Sequence, residues 1–386
     1  MTVAVAGCSN APEGAHSAAG STAPESAPSA DDSPRHDSRP SPGDSQPEIY
    51  SIRLYPAGLG LVSMSSAVTG SAGPRLLVTT DFGATFRDIS PPARPGTVVD
   101  DMAAVGDSRL WLLTWDPDST RSRLYRSTDA GRSWSSAPVP GHNMSAGSTD
   151  SIDFVDGDRG WLVQQMPNGP VSALYETTDG GRQWHQVNRH LPQVARVVAD
   201  TAGDLWQAGG FFSDRLTHST DGGHTWTTLK LTHPPRAGGR LSYGPPAVFG
   251  DQILEAVGVL NQHRETLRIY HSHDNGQTWQ STARLGPLRV PVVLGSPRWA
   301  DVAFADPRTW WVIASDPQPT IFQTADAGRH WHRHALPVPP PSKPLWLQIT
   351  ASDPRHAWAL LTTADHHSTL LSTSNSGRSW IALHPS

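Results

Sequence analysis

Seven copies of a Ser/Thr-x-Asp-x-Gly-x-x-Trp box dominate this chain and fix its architecture. They run Thr79-Thr80-Asp81-Phe82-Gly83 with Phe86, Ser127 to Gly131 with Trp134, and Thr177 to Gly181 with Trp184. Next come Ser219 to Gly223 with Trp226, Ser272 to Gly276 with Trp279, and Thr324 to Gly328 with Trp331. The seventh is Thr373-Ser374-Asn375-Ser376-Gly377 with Trp380. The acidic positions Asp81, Asp129, Asp179, Asp221, Asp274 and Asp326, and Asn375 in the seventh, are spaced by 48, 50, 42, 53, 52 and 49 residues. That is the period of a propeller blade. Each Asp accepts hydrogen bonds from its own turn, and the Gly supplies a positive φ. The Trp opens the next strand with a large apolar body. Each box is therefore a hairpin inside one blade and structural in role, and seven boxes predict an all-β, seven-bladed propeller over residues 48–386.

A second repeat precedes each box: Leu110-Trp111-Leu112-Leu113, Gly160-Trp161-Leu162-Val163, Leu205-Trp206, Trp310-Trp311-Val312-Ile313 and Ala357-Trp358-Ala359-Leu360. Short, nearly continuous apolar runs of this kind are strands buried on both faces, here the second strand of each blade. With 35 Pro and 34 Gly in 386 residues, tight turns are favoured over long helices. The net charge of −5 comes with no basic stripe, which argues against nucleic acid as a partner. No stretch is long and apolar enough to span a membrane.

Residues 9–47 are rich in Ser, Ala, Pro and Asp, bury too little apolar surface to order, and are expected to form a disordered tether. Before them, Val5-Ala6-Gly7-Cys8 holds the single cysteine of the chain. This string resembles a bacterial lipobox, which implies lipidation at Cys8 and an exported protein held on the outer face of the membrane by that anchor alone. Residues 1–8 then represent a truncated signal, with the start codon placed too far downstream, because seven residues without Lys or Arg do not make a working signal peptide.

Counting ten residues back from the inner-run Trp reaches the start of each channel-lining strand. Those positions are Asp101, Ser151, Arg196, Asp301 and Gln348. They are expected at the channel mouth, either as a ligand face or as the polar rim of a wet channel. Blade five departs from the pattern, with Glu255 inside its apolar run and Tyr243-Gly244-Pro245-Pro246 leading in.

The boxes resemble those of Asp-box (BNR) propellers over nearly all of residues 48–386. Three groups share them: sialidases, seven-bladed endoglucanases, and photosystem II assembly and stability factors. Fold follows from such a resemblance and activity does not. A sialidase implies an Arg-Ile-Pro segment where this chain has Gly73-Pro74-Arg75-Leu76-Leu77, and Glu255 with Tyr243 is the only acid–tyrosine pair on offer. An endoglucanase implies two carboxylates across a cleft, for which Asp101 and Asp301 are the candidates. The cleft between two tandem propellers is absent from a single one. The assembly factors match best in architecture and imply a rigid scaffold that binds rather than catalyses. The expected function is thus a non-catalytic exported scaffold for a protein or an extracellular polysaccharide, with glycoside hydrolysis as the alternative. No cofactor and no metal are expected, since His330, His332, His334 and Asp365-His366-His367 lack a completed ligand shell. A monomer is expected.

Overall fold

The computed structural model describes residues 48–64, 73–116, 121–140, 150–165, 171–192, 196–208, 216–231, 240–261, 264–289, 292–293, 296–297, 300–315, 318–337, 344–363 and 367–385. Residues 1–47, and with them Cys8 and the expected tether, lie outside this set.

Seven antiparallel sheets of four or five strands follow one another among the described residues, each built from consecutive strands, and a two-stranded ribbon, Val292–Val293 with Ser296–Pro297, lies between the fifth and sixth in sequence. Blade one comprises Ile49–Leu54, Gly60–Met64, Arg75–Thr79 and Arg87–Asp88, and blade two Val98–Val105, Arg109–Asp116, Arg121–Ser127 and Ser135–Pro138. Blade three runs from Ser151 to Pro192, blade four from Arg196 to Thr228, blade five from Arg240 to Arg289, blade six from Asp301 to Ala335 and blade seven from Pro344 to Leu383. The sole helical element among the described residues is a three-residue 3-10 turn at Pro56–Gly58. The expected all-β, seven-bladed fold is the fold of the protein.

The Trp-containing runs are the second strands, and their burial explains their composition. Trp111, Trp161, Trp206, Trp310, Trp311 and Trp358 are all among the largest fully buried side chains. Every blade-to-blade junction has its own apolar cluster. Between blades two and three, for example, Trp111 stacks on Phe154 at 4.0 Å. Where two sheet faces pack on each other, alternate residues of one strand serve different junctions: Trp310 faces blade five and Trp311 faces blade seven.

The ring closes between blades seven and one with no exchanged strand. Trp358, Leu360 and Leu370 pack on Ile49, Ile52, Leu54 and Val62. The Trp358 indole N–H donates to the Phe82 carbonyl at 3.0 Å, and a Cβ on Gly60 would meet that indole at 2.2 Å, which explains glycine there.

The boxes connect the third and fourth strands. In each, the Ser/Thr hydroxyl donates to the Asp carboxylate two residues on, or in the seventh to the Asn375 amide oxygen, at 2.6–3.0 Å. The same hydroxyl oxygen accepts the Gly amide at 2.8–3.0 Å. The acidic oxygen also accepts the amide four residues on, as from Thr85, Gln183 and Thr225. Hydrogen bonds from Thr79 and Thr85 pull Asp81 down to about 2. The residue before the Gly also has positive φ, from Asn275 at 55° to Gly180 at 73°. Two successive left-handed residues make the turn tighter than the Gly alone predicts.

Blade five carries the irregularity its sequence announces. Pro245 and Pro246 cannot donate to a ladder, and the first strand splits into Arg240–Tyr243 and Ala247–Phe249, both paired with Gln252–Asn261.

The candidate site at the channel mouth

The first strands stand innermost, and their free edges present backbone groups that no strand of the same blade can satisfy. Side chains of one blade supply the partners for the next. Asp101 Oδ2 accepts the Ile152 amide at 3.1 Å, and Asp153 Oδ2 accepts the Ala199 amide at 2.8 Å. Asp301 Oδ2 accepts the Ile349 amide at 2.8 Å. Gln348 both accepts from the Ile52 amide (3.3 Å) and donates to its carbonyl (3.2 Å). Polar residues at this position are clasps between blades.

Asp101 does more. Its Oδ1 accepts from Arg53 Nη2 at 2.9 Å and its Oδ2 from Arg196 Nη2 at 2.7 Å. Burial works against its charge, but Arg196 and then Arg53 outweigh burial and hold the carboxyl below its ordinary range. This triad joins blades one, two and four. Asp101 is only 6% exposed, whereas each arginine keeps about a quarter of its side chain open, at 25%. Around the triad, burial pushes Tyr55 up to about 12 and Asp153 up to about 6. Asp301 is likewise raised to about 6 by burial. Asp100 reaches about 8, through burial and then the charges of Asp150 and Asp101.

Of the five positions counted from the tryptophans, Ser151, Arg196 and Asp301 begin their strands, while Asp101 and Gln348 lie inside longer ones. Ser151 is buried at 8%. Asp101 and Ser151 are shielded, while Arg196, Asp301 and Gln348 are part-exposed and hydrogen-bonded to another blade. Arg53 escaped the count because blade one has Gly60-Leu61-Val62 in place of a Trp run. As an acid/base candidate, Asp101 is a poor one: two guanidiniums and two amides occupy its oxygens.

Glu255 and Tyr243 sit together in blade five without a bond between them. Glu255 is fully buried, neither of its oxygens has a partner among the described residues, and burial drives it well above the usual carboxylate range. It lies across from Tyr270 in the strand register. Tyr243 lies across from Val257. Among the described residues no His/Cys/Asp/Glu cluster could hold a metal. His330 instead pairs with Asp326 of its own box at 2.6 Å. Asp365 and His366 lie outside the described residues.

One feature of the mouth was invisible in the sequence. Four large apolar side chains are exposed among the described residues, and three of them lie on first strands of consecutive blades: Trp346 (47%) in seven, Tyr50 (53%) in one and Val98 (39%) in two. Stepping back from the Ile52–Gln348 and Leu54–Thr350 contacts brings Tyr50 level with Trp346.

Residues 132–284 match the family model described as Photosynthesis system II assembly factor YCF48. The whole propeller is similar to the YCF48 structures. A YCF48 bound to a D1 peptide superposes with TM-score 0.56 at 16% identity, covering 85% of this chain and 94% of that one. YCF48 from Cyanidioschyzon merolae gives 0.57 at 16% identity, with 86% and 97% covered. An ancestral GH74 enzyme gives 0.53 at 16% identity, covering 86% of this chain but 46% of that one. At such identities these likenesses establish fold. No match to a curated protein was found.

Proposed function

We propose that this protein is a non-catalytic scaffold that binds an extended segment of another protein across the channel mouth. The observation that carries it is the row Trp346, Tyr50 and Val98, exposed on the first strands of three consecutive blades, two of which also carry Arg53 and Asp101. Contiguous exposed apolar groups mark interaction sites, and aromatic and arginine side chains are favoured anchors of such interfaces. The Asp101 carboxylate fixes the guanidiniums of Arg53 and Arg196, so they are preorganised and lose little freedom on binding. Similarity to a propeller seen with a peptide supports the same reading. We place the protein on the outer face of the membrane, tethered through Cys8 and acting as a monomer, on the strength of the lipobox-like string.

The test is a photo-crosslinker introduced at Trp346, followed by identification of the captured species. A polypeptide is expected, and Tyr50→Ala with Trp346→Ala should abolish capture while leaving the melting temperature within about 2 °C, as exposed sites usually do. Capture of glycan, or glycan turnover that disappears in Asp301→Asn, would overturn the proposal in favour of polysaccharide binding or hydrolysis. Export is checked separately by metabolic labelling with a fatty acid, which should depend on Cys8.

A further inference from the structure

A cavity of about 660 Å³ is lined by blade two and by the connection that leads into it from blade one. It shares no residue with the channel triad. Arg121 and Arg123 come from the third strand of blade two, where residues two apart face the same side. Across the cavity stands Arg94, from the connection between the blades. Among the described residues the single carboxylate in the wall is Asp116, 3.9 Å from Arg94. Three guanidiniums against that one carboxylate leave the described wall with a surplus of two positive charges.

The donors here are not consumed by the fold. Arg123 Nη2 donates to Ser136 Oγ at 2.9 Å, while Arg121 has no hydrogen bond or ion pair among the described residues. Tyr125, 6% exposed, also lines the cavity.

We propose that this cavity binds a small organic phosphate monoester. A phosphate monoester carries a charge of about −1.5 to −2 near neutral pH and three strong acceptor oxygens, which matches the surplus. A carboxylate brings one charge and two oxygens, too few for the donors that converge here. Arginine is also the residue suited to oxyanion recognition from several directions. The cavity is far larger than an inorganic anion and falls in the usual range for small-molecule sites, so the ligand carries a body.

Titration calorimetry of the full chain at low salt tests this, with glucose 6-phosphate, glucose 6-sulfate and glucuronate as probes. Saturable one-to-one binding of the phosphate is expected, with the sulfate weaker and glucuronate weakest. Arg121→Gln and Arg123→Gln should each weaken the phosphate at least tenfold, about 1.4 kcal/mol, without changing the melting temperature, and Tyr125→Phe should weaken it less. No saturable binding of glucose 6-phosphate, the same affinity in the arginine variants, or glucuronate binding best would each overturn the assignment.

Discussion

At the scale of single residues, the box hydroxyl emerges as the pivot of each turn. Thr177 is fully buried, donates to Asp179 and accepts the Gly181 amide. Thr177→Val keeps the shape and leaves that amide unpaired, so chemical denaturation should show a loss of about 1–3 kcal/mol. A loss below a few tenths would mean that the turn is held by Asp179 alone. Glu255 gives a second residue-scale prediction through linkage. Its folded pKa lies above its unfolded one, so its contribution is fully present below about pH 4.5 and is lost as pH rises. Glu255→Gln should therefore match the wild type in urea stability near pH 4 and exceed it increasingly toward pH 8. Parallel pH profiles would show that the carboxyl finds an ionic partner.

At the scale of strands and junctions, side chains do the stitching that backbone ladders cannot. Arg196→Ala leaves Asp101 buried with one cation instead of two, at a cost of about 3 kcal/mol. Asp101→Ala should then cost less in that background than in the wild type, a coupling a double-mutant cycle measures directly. Strictly additive effects would show that the pair acts independently. At this scale the sequence is legible only in part. Box turns and Trp strands were legible because each is local: spacing, glycine and apolar run lie within a dozen residues. The counted positions Asp101, Asp301 and Gln348 were found, yet their work as clasps was not. Their partners Ile152, Ile349 and Ile52 sit on other blades, at separations no local pattern encodes. Arg53 and the exposed Tyr50, Val98 and Trp346 were missed for the same reason, since nothing in a short window distinguishes an aromatic residue on an open strand edge from one in a core.

At the scale of the whole molecule, each junction has its own apolar cluster and each blade its own four strands, with a fifth in blade five. Stability in such an array is a sum of local units and their neighbours' interfaces, but a closed ring adds a junction that an open one lacks. Gln348→Leu combined with Thr350→Val removes the polar part of the seven–one junction. Hydrogen exchange at the Ile52 and Leu54 amides should then rise well above that at amides of blade three. Uniform protection would show that the apolar packing of Trp358 suffices. Because blade one and blade seven meet face to face without sharing a sheet, that junction is the same kind of seam as the other six. A gene rearranged so that Glu48 follows Pro385 through a short spacer, with new termini between blades two and three, would spell a different polypeptide and fold into the same wheel.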